Sequence, residues 1–205
     1  NGNEGSVTLI GAVSPQGGDF SEPVTQNTKR FTRCFWGLDK SLAYARHYPA
    51  INWLTSYSEY ADSISPWYME NVSPEFPQAR AELMAVLREE SSLMEIVKLI
   101  GADVLPEDQK LTLEIARVIR VGFLQQNAYH ANDTYVPMNK QFLMVKVILS
   151  LYNKCKKLVN DEAIPVSLIK KSGIFDEVIK MKYDIENDKP EKFDAIFKKI
   201  DELKF

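Results

Sequence analysis

From Asp62 to the end of the chain, apolar residues recur at three- and four-residue steps, the spacing of one face of an α-helix. A short helix is expected from Asp62 or Ser63, either of which can cap it, to about Asn71. Ser73 is a good cap for a long helix with Pro74 in its first turn. Along that helix Leu83, Val86, Leu87, Leu93, Met94, Val97 and Ile100 form a stripe, and Gly101 ends it. Pro106-Glu107-Asp108 opens the next helix and puts acids at the positive end of its dipole. Its stripe is Leu111, Ile115, Val118 and Ile119. A further helix is expected over 139–159, carrying Phe142, Val145, Ile148, Leu149 and Tyr152. Shorter amphipathic segments follow at 166–172, 174–181 and 191–203, the last with a solvated Lys/Glu/Asp face.

Before Asp62 the pattern is different. Ser6 to Val13, SVTLIGAV, is a β-branched apolar run bounded by glycine and by Ser14-Pro15, and reads as a buried strand. Pro15 to Pro23 reads as a loop, with Gly17-Gly18 for backbone freedom. Threonines and aromatics favour a second strand over Val24 to Trp36. Leu38 to His47 reads as a short helix stopped by Pro49, because the residue before proline avoids the helical region. The fold class is therefore mainly α. A helical bundle at 61–205 follows a β-rich remnant, with its last strands and a short helix, at 1–60.

Composition narrows the function classes. The 205 residues are enough to bury a substantial core, and the 45% hydrophobic and 26% charged content is that of an ordinary globular chain. A formal net charge of -3 argues against a nucleic-acid binder, which would carry a basic face. Cys34 and Cys155 read as reduced thiols, and neither has a Cys or His at ligand spacing, so no metal site is expected. No apolar run approaches the ~20 residues that cross a bilayer, and the first residues have no basic n-region of a signal peptide. A chain opening in what reads as mid-domain suggests an excised fragment.

Four local motifs carry more than composition does. GSVTLIGAVSPQGGDFSEPVTQNT comes first, then HYPAINWLTSYSEY, then GADVLPEDQKLTLEIARVIR, then GFLQQNAYH. In this order and at this spacing the chain resembles the C-terminal part of the catalytic A subunit of V-type and archaeal-type rotary ATPases. That resemblance implies a soluble, cytoplasmic ATPase head, peripheral to the membrane. It couples ATP hydrolysis or synthesis to H⁺ or Na⁺ transport through a membrane sector. The implied ligand is ATP or ADP with Mg²⁺, and the implied partners are non-catalytic B subunits and a central-stalk rotor.

Residue by residue, the resemblance implies an adenine pocket from the Tyr48-Pro49-Ala50 turn together with Phe123 and Tyr129. Flat aromatic rings suit a flat base. Gln125, Gln126 and Asn127 could offer contacts to the base edge. The alternative is that these rings are ordinary core aromatics in a chain with ten Phe and nine Tyr. The acidic turn carrying Asp103, Glu107 and Asp108 corresponds to a lever against the rotor, although a dipole-favoured helix start explains the same charges. The loop with Asp19, Ser21 and Glu22 corresponds to a second rotor contact, with a structural, turn-capping loop as its alternative.

No G-x-x-x-x-G-K-[ST] loop occurs, so no catalytic residue is assigned and the 205 residues alone are expected to hydrolyse no ATP. His47 and His130, beside the two tyrosines, read as hydrogen-bonding or surface residues. The other readings kept open are a non-catalytic nucleotide-site subunit of the same machine and a stand-alone helical interaction module.

Overall fold

Long helices form where the apolar stripes run. The computed structural model describes residues 2–205. After a short helix α1 (Pro23–Phe31), strand β1 (Cys34–Phe35), helix α2 (Lys40–Tyr44) and strand β2 (Tyr57–Ser58) come the elements of the bundle. These are α3 (Ala61–Asn71), α4 (Phe76–Ile100), α5 (Glu107–Ile119), a π turn (Arg120–Leu124) and α6 (Ala131–Thr134). Then follow α7 (Met138–Asn160), α8 (Val166–Lys171), α9 (Ile174–Asp184) and α10 (Phe193–Asp201).

Helix α7 lies at the middle of the bundle, in contact with α4, α5, α9 and α10. Its Val147, Ile148, Leu151, Cys155 and Leu158 are buried, and so are Leu111, Ile115, Val118 and Ile119 of α5. Leu83, Val86 and Leu87 of α4 complete that side, while Phe175, Val178 and Met181 of α9 and Phe193 and Ile200 of α10 close the other. Each such side chain contributes about 1.5–3 kcal/mol by leaving water, which is why the bundle and not the first 60 residues carries the core. Burial pushes the Cys155 thiol up to about 12, which leaves it inert, and Cys34 is an exposed free thiol.

The expected helix boundaries hold to within a few residues in the bundle. Helix α4 begins at Phe76, because Glu75 takes the cap position and the Ser73 hydroxyl accepts from the Glu75 amide (3.3 Å). Gly101 closes it at φ 86°, in the positive-φ region where glycine alone is unstrained. Helix α9 runs to Asp184, three residues beyond its expected end, and is buried there through Met181, Lys182 and Ile185.

Two expectations for the first 60 residues differ from what forms. Residues 6–13 adopt no regular structure, and Val7, Leu9 and Ile10 are 90%, 92% and 82% exposed. A strand persists only if its amides and carbonyls find a ladder, and no neighbouring strand lies beside this one among the described residues. The second expected strand, Val24 to Trp36, is mostly helix α1. Pro23 occupies its first turn, and the Glu22 carboxylate accepts from the Val24 amide (3.3 Å) and the Thr25 hydroxyl (2.9 Å). That local capping outweighs the β preference of the threonines. The sheet that remains is the antiparallel pair β1–β2. The fold class is thus mainly helical, behind a remnant of a different kind.

At the end of α5 the backbone changes register. The Gln125 amide reaches the Arg120 carbonyl (2.8 Å), an i→i+5 bond in place of i→i+4. Gly122 sits inside this turn, and a Cβ there would stand 3.1 Å from the Ile179 Cα of α9. Gly122→Ala is expected to destabilise the fold by about 1–3 kcal/mol, since the backbone of α9 at Ile179 would have to shift to admit the methyl group. Urea unfolding measures this. An unchanged midpoint would show that α9 yields.

Candidate nucleotide-base site

The Tyr48 turn is built by a closed loop. Asp39 caps α2 by accepting from the Ser41 amide (2.7 Å) and hydroxyl (2.6 Å), and it also accepts from the Asn52 amide group (2.8 Å). Those donors hold its carboxyl below the usual carboxylate range. The Asp39 amide then meets the Ala50 carbonyl (2.9 Å) and the Asn52 amide meets the Gly37 carbonyl (2.8 Å). With its two ends stitched together, the loop projects His47, Tyr48 and Pro49 away from its base.

That loop docks onto the segment leaving α5 through three hydrogen bonds. The Gln126 amide donates to the Tyr48 carbonyl (2.7 Å). The Gln125 side-chain amide donates to the Arg46 carbonyl (3.2 Å). His47 Nε2 faces the Arg120 carbonyl at 3.0 Å, so that nitrogen carries the proton. His47 is 8% exposed and packs near Trp53, a buried hydrogen-bonding role. Its Nδ1 has no partner among the described residues.

The aromatic residues named from the sequence are therefore placed differently. Tyr48 is 54% exposed and Tyr129 wholly exposed, while Pro49 is also open to solvent. Phe123 is half-buried, packs against the core, and lines a cleft of about 190 Å³ with Leu124, Gln126, Asp133, Val136 and Met144. Gln126 is shared: its amide holds the Tyr48 turn and the residue borders the cleft. Asn127 accepts from the Tyr129 amide through its side chain (3.0 Å), so it shapes the turn that presents Tyr129.

What sequence reasoning missed is the set of charges beneath this segment. Lys182 and Lys140 are each 2% exposed, as is Asp133. Lys182 Nζ donates to the Val121 (2.7 Å) and Gln125 (2.5 Å) carbonyls and lies 3.9 Å from the Asp133 carboxylate. Asp133 in turn accepts from the Asn127 amide (2.6 Å). Lys140 Nζ donates to the carbonyls of Asn132, Lys182 and Ile185 (2.9, 2.9 and 2.7 Å) and to the Asn187 side chain (3.0 Å). Burial pushes both lysines below their ordinary range, with Asp133 opposing it, so their carbonyl partners are what make the burial tolerable. A signal existed: Lys140 lies one turn before Met144, and Lys182 one turn after Val178, on apolar faces.

Of the residues that the resemblance matches to rotor contacts, Asp19, Ser21, Glu22 and Glu107 have partners within the chain. Asp19 accepts from the Ser21 amide (2.9 Å) and hydroxyl (2.6 Å), which lower its carboxyl below the usual range, and Glu22 caps α1. Glu107 receives Lys110 (2.9 Å) and the Val166 amide (2.7 Å), tying the start of α5 to the start of α8. Asp103 and Asp108 are exposed, and Leu105 between them is buried. No cluster of three or more metal-ligating side chains occurs among the described residues, and no described helix is long and apolar enough to cross a membrane.

The molecule is thus a helical bundle behind a small mixed region, the two joined at a turn that carries open aromatic rings. Residues 65–167 match the family described as the C-terminal domain of V and A type ATP synthase. Residues 1–58 match the nucleotide-binding domain of the ATP synthase alpha/beta family. The V-type ATP synthase alpha chain 2 of Clostridium tetani is 59% identical over 92% of this chain and 32% of its own length. The V-type ATP synthase alpha chain of Halothermothrix orenii is 54% identical over 97% of this chain and 34% of its own. The corresponding A subunit of the A-type ATP synthase of Methanopyrus kandleri is 50% identical over 97% of this chain and 33% of its own. Among solved structures, an ATP synthase subunit of Nanoarcheaum equitans superposes with a TM-score of 0.55 at 24% identity, over 66% of this chain and 33% of that one, a likeness of fold. The chain belongs to the V- and A-type ATP synthase alpha-chain family. It spans about a third of the length of those curated relatives.

Glu107→Gln is expected to lower stability by about 0.5–1 kcal/mol, a modest figure because 39% of the side chain faces solvent. Lys110 and the Val166 amide hold this carboxyl below its ordinary 4.5. Its contribution is therefore present above pH 4.5 and is lost as pH falls below that value, through the lowered folded-state range. Thermal unfolding of both forms across that window checks it. A difference that grows on acidification would reject the assignment.

Proposed function

We propose that this chain is the base-binding and rotor-facing part of the catalytic subunit of a V-type rotary ATPase or ATP synthase. In the intact subunit ATP or ADP with Mg²⁺ is the ligand. This chain supplies the adenine side, with Tyr48 and Tyr129 as the stacking rings, Pro49 stiffening the turn and Phe123 as a wall beneath. The single observation that carries this reading is the Gln126–Tyr48 backbone bond, which brings two ring-bearing segments remote in sequence side by side (2.7 Å). Both rings are open enough to receive a planar ligand. None of these residues takes a catalytic role, and on this reading the 205 residues alone hydrolyse no ATP. Phosphate and Mg²⁺ chemistry belongs to parts of the subunit outside these residues.

The α4–α5 hairpin serves as the lever. Its two helices pack against each other, and its connection carries Asp103 and leaves Val104 67% exposed. Packed helices transmit displacement as rigid bodies, so closure at the base site becomes movement at this tip against the central stalk. Asp19, Ser21 and Glu22 provide a second polar contact with the rotor, and B subunits border the site. The assembly sits at the cytoplasmic face as a peripheral head and drives H⁺ or Na⁺ transport through its membrane sector. The relatives, named as alpha chains and A subunits, favour the catalytic subunit over a non-catalytic neighbour or a free-standing module.

Tyr129→Ala in the full-length protein, assembled in its complex, should weaken nucleotide affinity roughly 5–150-fold, the equivalent of about 1–3 kcal/mol of stacking. Unchanged affinity in equilibrium titration would overturn the base site. Charge reversal at the exposed Asp103 and Asp108 should alter torque in single-molecule rotation while nucleotide binding stays near the parent value. Collapse of binding would instead make the tip a structural element.

A further inference from the structure

The ammonium group of Lys182 has no role in the chemistry described above, yet it is buried directly beneath the segment that carries the base-facing residues. It grips that segment at two points: the Val121 carbonyl (2.7 Å), inside the π turn, and the Gln125 carbonyl (2.5 Å), where the turn ends. The next residue, Gln126, gives its amide to the Tyr48 carbonyl (2.7 Å). The residue after that, Asn127, gives its amide to Asp133 (2.6 Å), the carboxylate facing Lys182. The Asn127 side chain then holds the amide of Tyr129 (3.0 Å). Each link fixes the next, and the run ends at an exposed ring.

A well-packed apolar residue would serve stability as well as or better than a buried charge, because desolvation offsets much of what a buried ion pair gains. An ammonium differs in being able to direct several carbonyls toward one point. Lys140 supports the arrangement from below. It binds the Lys182 and Ile185 carbonyls (2.9 and 2.7 Å), so the end of α9 that carries Lys182 is itself held in place.

Resting on the base-site reading above, we propose that Lys182 is a positioning residue for base recognition: with Asp133 it sets the backbone of residues 121–129 and so the orientation of Tyr129 toward the Tyr48 turn. It touches no part of the nucleotide. It decides where the rings stand, and it ties the segment to α9, so that segment and helix move together when the site closes.

The test uses the full-length protein in its assembled complex, with KM and kcat measured for ATP and for GTP. Lys182→Met keeps the length of the side chain and removes the donors. It should raise KM for ATP roughly tenfold and narrow the preference for ATP over GTP, with kcat at saturation changed much less. Asp133→Asn is the second variant, for the case in which Lys182→Met does not assemble. It leaves the Lys182 bonds to the carbonyls in place and should move KM and the ATP/GTP ratio in the same direction by a smaller factor. A fall in thermal stability with unchanged KM and unchanged base preference, in whichever variant assembles, would overturn the proposal. Tyr129→Ala separates the two readings. If it moves KM and the Lys182 and Asp133 variants do not, the base site stands and the positioning role falls. If it too leaves KM unmoved, both fall.

Discussion

A helix that shifts from i→i+4 to i→i+5 bonding leaves carbonyls without their usual donors, and buried carbonyls must find others. At the end of α5 this constraint organises everything around the candidate site. The Arg120 carbonyl receives both the Gln125 amide and His47, and the Val121 carbonyl receives Lys182. Two elements remote in sequence, the Tyr48 loop and helix α9, are thereby drawn to one turn. Gly122 eases the approach to α9, since a Cβ there would stand 3.1 Å from the Ile179 Cα and α9 would have to give.

The chain joins two regimes of stability at that point. The bundle is held by area: long helices bury apolar stripes around α7, that of α4 only as far as Leu93 because Met94 and Ile100 are exposed, and no single contact decides the outcome. The first 60 residues bury little, and they are ordered by local caps, by the two-stranded pair β1–β2 and by docking to the π turn. Such a region moves more readily than the bundle, because fewer buried contacts oppose local opening. The Tyr48 loop is attached to the bundle by a few directional bonds, so it can shift without disturbing the buried core.

Charge at the α4–α5 tip follows the same division of roles. Glu107 is engaged with Lys110 and with the start of α8, so it fixes the start of α5 against α8. Asp103 and Asp108 have no such side-chain partner among the described residues, and they are exposed, as is the apolar Val104. The acids at this tip thus divide between one engaged within the fold and two exposed to solvent.

The amino-acid order by itself determined the bundle: stripes such as Leu83–Val86–Leu87 and Leu111–Ile115–Val118 can be buried only as helices, and Gly101 and Pro106 punctuate them whatever surrounds them. The motif order also sufficed to name the family and the residues to look at. The fate of residues 6–13 and of Val24 to Trp36 was not legible. A strand depends on partners that local sequence does not supply, whereas Glu22 and Pro23 supply a helix start directly. The burial of Lys140, Lys182 and Asp133 belonged to tertiary structure alone. Whether a lysine in an amphipathic helix faces water or a carbonyl depends on which chain segment packs across from it, and that segment lies about sixty residues away in the case of Val121 and Lys182.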